Sequence, residues 1–191
     1  MQSIITCVLA LVVSAIVGRL VIPMLRALHV GQSIREVGPT WHNYKQGTPT
    51  MGGVIFIFAG LVCIVAGLGS MAEGDYTYLM VYVFALVFGV IGFLDDFISV
   101  KKKRNLGLTE IQKLLLQLLA AALYLVLLRR TGHLSSELYI PFANVSITIP
   151  WILYLLLSIF IIVGTVNAVN ITDGVDGLSS SVTIPGMIRC V

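Results

Sequence analysis

The chain has 191 residues, of which 58% are hydrophobic and 11% charged, with a formal net charge of +3. A soluble domain carries about 25% charged residues, so this composition is that of a membrane protein. Nucleic-acid binding needs a basic, soluble face; none is present, and no nucleic acid is expected as a partner.

Residues 4–28 form the first apolar run, interrupted by Arg19 and Pro23. No basic residue precedes it and no small-x-small pattern closes it, so a transmembrane helix is expected rather than a cleaved leader. Residues 52–68, 76–94, 111–128 and 149–169 are the next apolar runs. Each approaches the roughly 20 residues that cross about 30 Å of hydrocarbon, and tilt absorbs the shorter ones.

Lysine and arginine set the orientation. Arg26, Arg35 and Lys45 lie at or after the first run, and Lys101, Lys102, Lys103, Arg104 and Lys113 lie around the junction of the third and fourth. The connection between the second and third runs has Glu73 and Asp75 and no basic residue. The N-terminus is therefore expected outside, with the connections after the first and third runs cytoplasmic. Arg129 and Arg130 fall on the outer side and are outnumbered.

The fourth run opens with Thr109-Glu-Ile-Gln112, which fits a capping box: hydroxyl first, amide three residues on. After it, Val145, Ile147 and Ile149 alternate with Ser146 and Thr148, which predicts a small hairpin with its turn near Ala143-Asn144. The last stretch, 178–191, contains Pro185, Gly186 and Arg189 and is too short and too broken to span. The expected fold is an all-α polytopic membrane protein. It has five transmembrane helices in a single integral membrane domain over 1–191, and the β-hairpin lies outside between helices 4 and 5. Cys7 and Cys63 sit in apolar runs, Cys190 is far from both, and inert buried thiols are expected. His29, His42 and His133 have no metal-ligand spacing.

Span counting then puts three polar stretches at one membrane face. Asp95-Asp96 is expected at the C-terminal end of the third helix, where carboxylates oppose the helix dipole. It reads either as a solvated helix end offset by residues 101–104, or as a site for a divalent cation and phosphate. Mg²⁺ takes one or two carboxylates plus substrate phosphates, and an acid beside it can serve as a general base. The second stretch is Asn167-Ala-Val-Asn170-Ile-Thr-Asp173-Gly-Val-Asp176-Gly-Leu178. At about 100° per residue, 167 and 176 are half a turn out of phase, so the helix is expected to end between Val169 and Asp173, with the glycines letting the rest wrap a ligand. The third is Lys45-Gln-Gly-Thr-Pro-Thr-Met-Gly-Gly53. It is not a Walker loop, since no Lys-Ser/Thr follows the glycines. Lys45 is placed to hold a phosphate or base edge, or Gly52-Gly53 simply let a helix pack closely. Residues 101–104 also suit anionic membrane lipids.

Residues 45–53, Gly92-Phe-Leu-Asp-Asp-Phe97 and residues 167–178 together resemble the polyprenyl-phosphate N-acetylhexosamine-1-phosphate transferases. The Thr-Pro-Thr-Met-Gly-Gly form resembles the branch that uses UDP-N-acetylmuramoyl-pentapeptide. The resemblance implies transfer of phospho-N-acetylmuramoyl-pentapeptide to undecaprenyl phosphate, giving lipid I and UMP with Mg²⁺, in the first membrane step of peptidoglycan synthesis. It implies Asp95 as the acid that activates the lipid phosphate, with Asp96 beside it for metal and phosphate geometry. Lys45 and Thr50 fall near the nucleoside, Lys103 at a phosphate, and Asn167, Asn170, Asp173 and Asp176 at the nucleotide end. The metal set is Asp95, Asp96 and Asp173. It also implies a ten-helix fold and a homodimer. The present chain matches the N-terminal half, is expected to be truncated near 183–191, and is expected to be inactive alone. Rival readings are a UDP-N-acetylglucosamine-using relative and a transporter, though a transporter would place its acids in mid-bilayer.

Overall fold

The structure, a computed structural model, describes residues 2–27, 51–102, 107–140, 143–173, Leu178 and Ser181. Its elements are α1 (Gln2–Ala27), α2 (Val54–Ala66), α3 (Leu68–Ala72), α4 (Thr77–Lys102), α5 (Glu110–Arg130), β1 (Glu137–Ile140), β2 (Val145–Thr148) and α6 (Trp151–Thr172). α1, α4, α5 and α6 are long and apolar enough to cross a membrane. At most 17% of the residues in each one's most apolar window are buried within the protein. Helices that are apolar all round and uncovered by protein suit lipid rather than water. The chain is an all-α polytopic membrane protein, with one small two-stranded sheet among the described residues.

The chain divides into two compact units, Met1–Leu116 and Gln117–Val191. In the first, α2 packs against α1 and α4. The α2–α4 contact is fixed by Tyr82, whose hydroxyl donates to the Ile57 carbonyl at 2.9 Å. Gly60 permits this approach: a Cβ there would overlap Cε2 of the Tyr82 ring and sit 2.8 Å from Cδ2. α2 is shorter than the expected 52–68 span. It has 13 residues, or about 20 Å at 1.5 Å per residue, and it ends where the Gly67 N–H closes on the Cys63 and Ile64 carbonyls. Asp75 starts α4 by accepting the Thr77 N–H at 2.9 Å, a carboxylate at the positive end of the helix dipole.

α4 also runs past the expected boundary at Leu94. Phe97, Ile98 and Val100 continue its apolar pattern, and the Phe93 and Phe97 rings stack with centroids 6.0 Å apart. The helix runs on to Lys102. The acid pair therefore lies inside the helix, and its cost against the dipole is smaller than expected.

In the second unit, Gln117, Ala121 and Leu125 are the buried residues of α5. Their four-residue spacing makes one stripe. Arg129 stands 4.2 Å over the Trp151 ring and donates to Ser136 Oγ at 2.6 Å, which accounts for one of the two arginines that oppose the orientation rule. The hairpin forms as expected. β1 and β2 are antiparallel, with Glu137 opposite Thr148 and Ile140 opposite Val145. Asn144 takes the left-handed turn position at φ 51°, and its Oδ1 accepts the Tyr139 hydroxyl at 2.6 Å.

Cys7 and Cys63 are free but exposed on α1 and α2. They were expected to be buried. On lipid-facing helices an apolar neighbourhood does not mean burial within the chain.

Candidate functional site

In the first unit the site is built around Asp95 and Asp96 on α4. Both are half-buried. Asp95 is held by two donors on different oxygens. Lys113 Nζ lies 2.8 Å from Oδ2 in an ion pair, and the Leu108 N–H donates to Oδ1 at 2.9 Å. The segment before α5 delivers both groups. Gly107 passes so close to α4 that a Cβ there would overlap the Asp95 carbonyl and sit 2.7 Å from its Oδ1. The capping box then starts α5 reciprocally: the Thr109 N–H donates to Gln112 Oε1 at 3.1 Å, and the Gln112 N–H donates to Thr109 Oγ1 at 3.3 Å. Lys113 makes the next helical bond, to the Thr109 carbonyl at 3.0 Å.

Asp96 has a different partner. Its carboxylate accepts the backbone N–H of Met51. Met51 has φ 66°, a left-handed conformation uncommon for a non-glycine residue. The end of the 45–53 stretch thus meets the acid pair. Sequence reasoning singled out the two stretches separately and did not pair Met51 with Asp96, because a backbone donor leaves no side-chain signal. It counted Lys113 only toward orientation. The available clue was a charged residue one turn inside an apolar span. Gly107 and Leu108 carried no signal.

In the second unit, Asn167, Asn170 and Asp173 lie on the last turns of α6. The helix ends at Thr172, with the Asp173 N–H still donating to the Val169 carbonyl at 2.9 Å, within the window the helix geometry predicted. Asn170 and Asp173 are exposed. Asn167 is half-buried, and its Nδ2 donates to Gln117 Oε1 at 2.7 Å and to the Val163 carbonyl at 2.8 Å. Both amide hydrogens are thus engaged within the unit. Lys45, Thr50, Lys103 and Asp176 lie outside the described residues, as do Gly174 and Gly177.

Among the described residues no group of three or more His, Cys, Asp or Glu side chains is placed to hold a metal. The acid pair fits Mg²⁺ in donor chemistry: hard carboxylate oxygens, with substrate phosphates completing the shell. A carboxylate offers about four lone-pair sites. Asp95 commits two of them to Lys113 and Leu108. Asp96 lies within the field of the same Lys113 but takes its hydrogen bond from the Met51 backbone, so it keeps more of its oxygen lone pairs open to a cation than Asp95 does.

Apolar spans, with a partly buried carboxylate pair and its lysine counter-ion in the first unit and a polar helix end in the second, define an integral membrane protein. The residue patterns sharpen that class. Residues 78–191, more than half of the chain, match the model of glycosyl transferase family 4, and residues 45–57 match phospho-N-acetylmuramoyl-pentapeptide-transferase signature 1. The chain belongs to glycosyl transferase family 4. It is 46% identical over 173 residues to the phospho-N-acetylmuramoyl-pentapeptide-transferase of Halalkalibacterium halodurans, covering 91% of this chain and 53% of the relative. It is 44% identical over 175 residues to that of Oceanobacillus iheyensis, with 91% and 53% covered. Against that of Clostridioides difficile it is 44% identical over 180 residues, with 94% and 54% covered. The chain spans about half the length of the curated relatives it matches.

Proposed function

We propose that the protein containing this chain transfers phospho-N-acetylmuramoyl-pentapeptide from its UDP conjugate to undecaprenyl phosphate, yielding lipid I and UMP. The observation that carries this reading is the clamped acid pair, with Met51 of the signature stretch donating to Asp96. The relatives' names supply the substrate class.

In the proposed reaction an oxygen of the lipid phosphate bonds to the sugar-bearing phosphorus of the nucleotide. The bond from that phosphorus to the bridging oxygen breaks, and UMP departs with the electron pair. Asp95 takes the proton of the lipid phosphate, and Asp96 sets metal and phosphate geometry. Asn170, Asp173 and Asp176 hold the nucleotide end, Lys45 and Thr50 lie by the nucleoside, and Lys103 meets a phosphate. Asn167 serves by fixing the end of α6 through Gln117. Asp96, with Asp95, would hold Mg²⁺, which when bound would neutralise charge on the pyrophosphate. The residues themselves contribute alignment and a preset electrostatic field.

The distribution of Lys and Arg supports a cytoplasmic site in the plasma membrane, with the N-terminus outside. A homodimer belongs to the same proposal. Donor competition tests the reading. The full-length protein, given both UDP-N-acetylmuramoyl-pentapeptide and UDP-N-acetylglucosamine with undecaprenyl phosphate, should consume the former. Consumption of UDP-N-acetylglucosamine alone would assign a different sugar donor.

A further inference from the structure

We propose that Lys113, together with the backbone N–H of Leu108, is a positioning device for Asp95, acting through that carboxylate and touching no substrate. The inference rests on the transfer reaction above and adds a residue to it.

Three features of the geometry lead here. First, the two donors reach different oxygens of one carboxylate, at 2.8 and 2.9 Å. A single contact leaves a carboxylate free to turn about its bond to Cβ; two on opposite oxygens fix both its place and its plane. Second, the holder is built into the backbone. Gly107 has no room for a Cβ against Asp95, so the close approach that presents the Leu108 N–H depends on glycine. The capping box at Thr109 and Gln112 fixes where α5 begins, and hence where Lys113 points. Third, Lys113 is the only charged residue of α5 between Glu110 and Arg129. An ammonium within an apolar span is costly unless it is paired, and this one is 19% exposed against an Asp95 side chain 23% exposed. A surface ion pair of the same length would be screened and worth little. This one is sheltered, so Lys113 holds Asp95 in place and aimed. Asp96, one residue along and about 100° around the helix, accepts the Met51 N–H instead.

The test uses the full-length protein in nanodiscs, with steady-state kinetics for both substrates and hydrogen exchange of the peptide containing Leu108. Lys113→Met should lower kcat by about tenfold or more while each KM moves by less than about twofold, and Lys113→Arg should recover most of the rate. Asp95→Asn with Lys113→Met should be no slower than Asp95→Asn alone, because Lys113 acts only through Asp95. The Leu108 amide should exchange faster in both Lys113→Met and Asp95→Asn. A selective rise in KM, multiplicative losses in the double variant, or unchanged Leu108 exchange would each overturn the proposal. If the wild-type protein forms no lipid product, the transfer reading fails. The exchange result still decides whether Lys113 holds Asp95: faster exchange upholds that hold, and unchanged exchange rejects it.

Discussion

The side-chain amide of Asn167 donates to Gln117 Oε1 across 2.7 Å, and Gln117 is 1% exposed, the largest fully buried side chain among the described residues. A buried amide in an apolar bundle must be satisfied, and here the partner is the first amide of a stretch that sequence reasoning assigned to ligand. The bond ties the end of α6 to α5 and leaves Asn170 and Asp173 at the exposed turns beyond it.

Replacing Gln117 with Leu should destabilise the protein by about 1 kcal/mol, in the range of hydrogen bonds between membrane helices. Asn167→Leu should cost a similar amount. The double variant should cost less than their sum, since each single change strands the other amide. Equilibrium unfolding in mixed micelles reads all three, and strictly additive losses would show that the bond contributes nothing.

Gly60 and Tyr82 should behave as a coupled pair. Gly60→Ala places a methyl into the Tyr82 ring and should destabilise by about 1–3 kcal/mol, as overpacking does. Tyr82→Phe should cost only about 1 kcal/mol, for the lost bond to Ile57. Gly89 is the control: a Cβ there meets nothing within 4 Å, so Gly89→Ala should be tolerated. Thermal unfolding of the three variants checks the order, and Gly60→Ala unfolding with Gly89→Ala would count against the packing described.

Thr109→Ala should remove about 1 kcal/mol from the start of α5, the usual cost of losing a hydroxyl cap. Thr109→Ser keeps the hydroxyl and should be close to wild type. Hydrogen exchange at residues 110–113 distinguishes them: the alanine variant should exchange faster and the serine variant should not.

Much of the architecture could be read from residues alone, because lipid demands long apolar helices and water-facing turns have their own chemistry. The capping box, the hairpin with its turn at Asn144 and the end of α6 all follow local rules. The boundaries that were missed depend on neighbours. α4 continues past Leu94, where Phe97 stacks on Phe93, so the acid pair is interior rather than terminal. α2 is short because it stops at Gly67. At the site, the acids were visible as rare charges in an apolar chain. Their partners were not: Met51 and Leu108 act through backbone N–H groups, Gly107 acts through a missing Cβ, and Lys113 declares its role only when Asp95 is beside it.

The central claim is that Asp96, beside the clamped Asp95, belongs to the machinery of phosphosugar transfer to a polyprenyl phosphate. The most direct measurement is mass spectrometry of the lipid product made by the full-length protein from UDP-N-acetylmuramoyl-pentapeptide and undecaprenyl phosphate with Mg²⁺. The expected result is one lipid-linked phosphosugar per UMP for the wild type. Asp96→Asn should slow this by about 100-fold or more, in the range seen when a preset electrostatic contact is removed, with thermal stability unchanged. A fully active Asp96→Asn protein, or UMP released without lipid product, would contradict it.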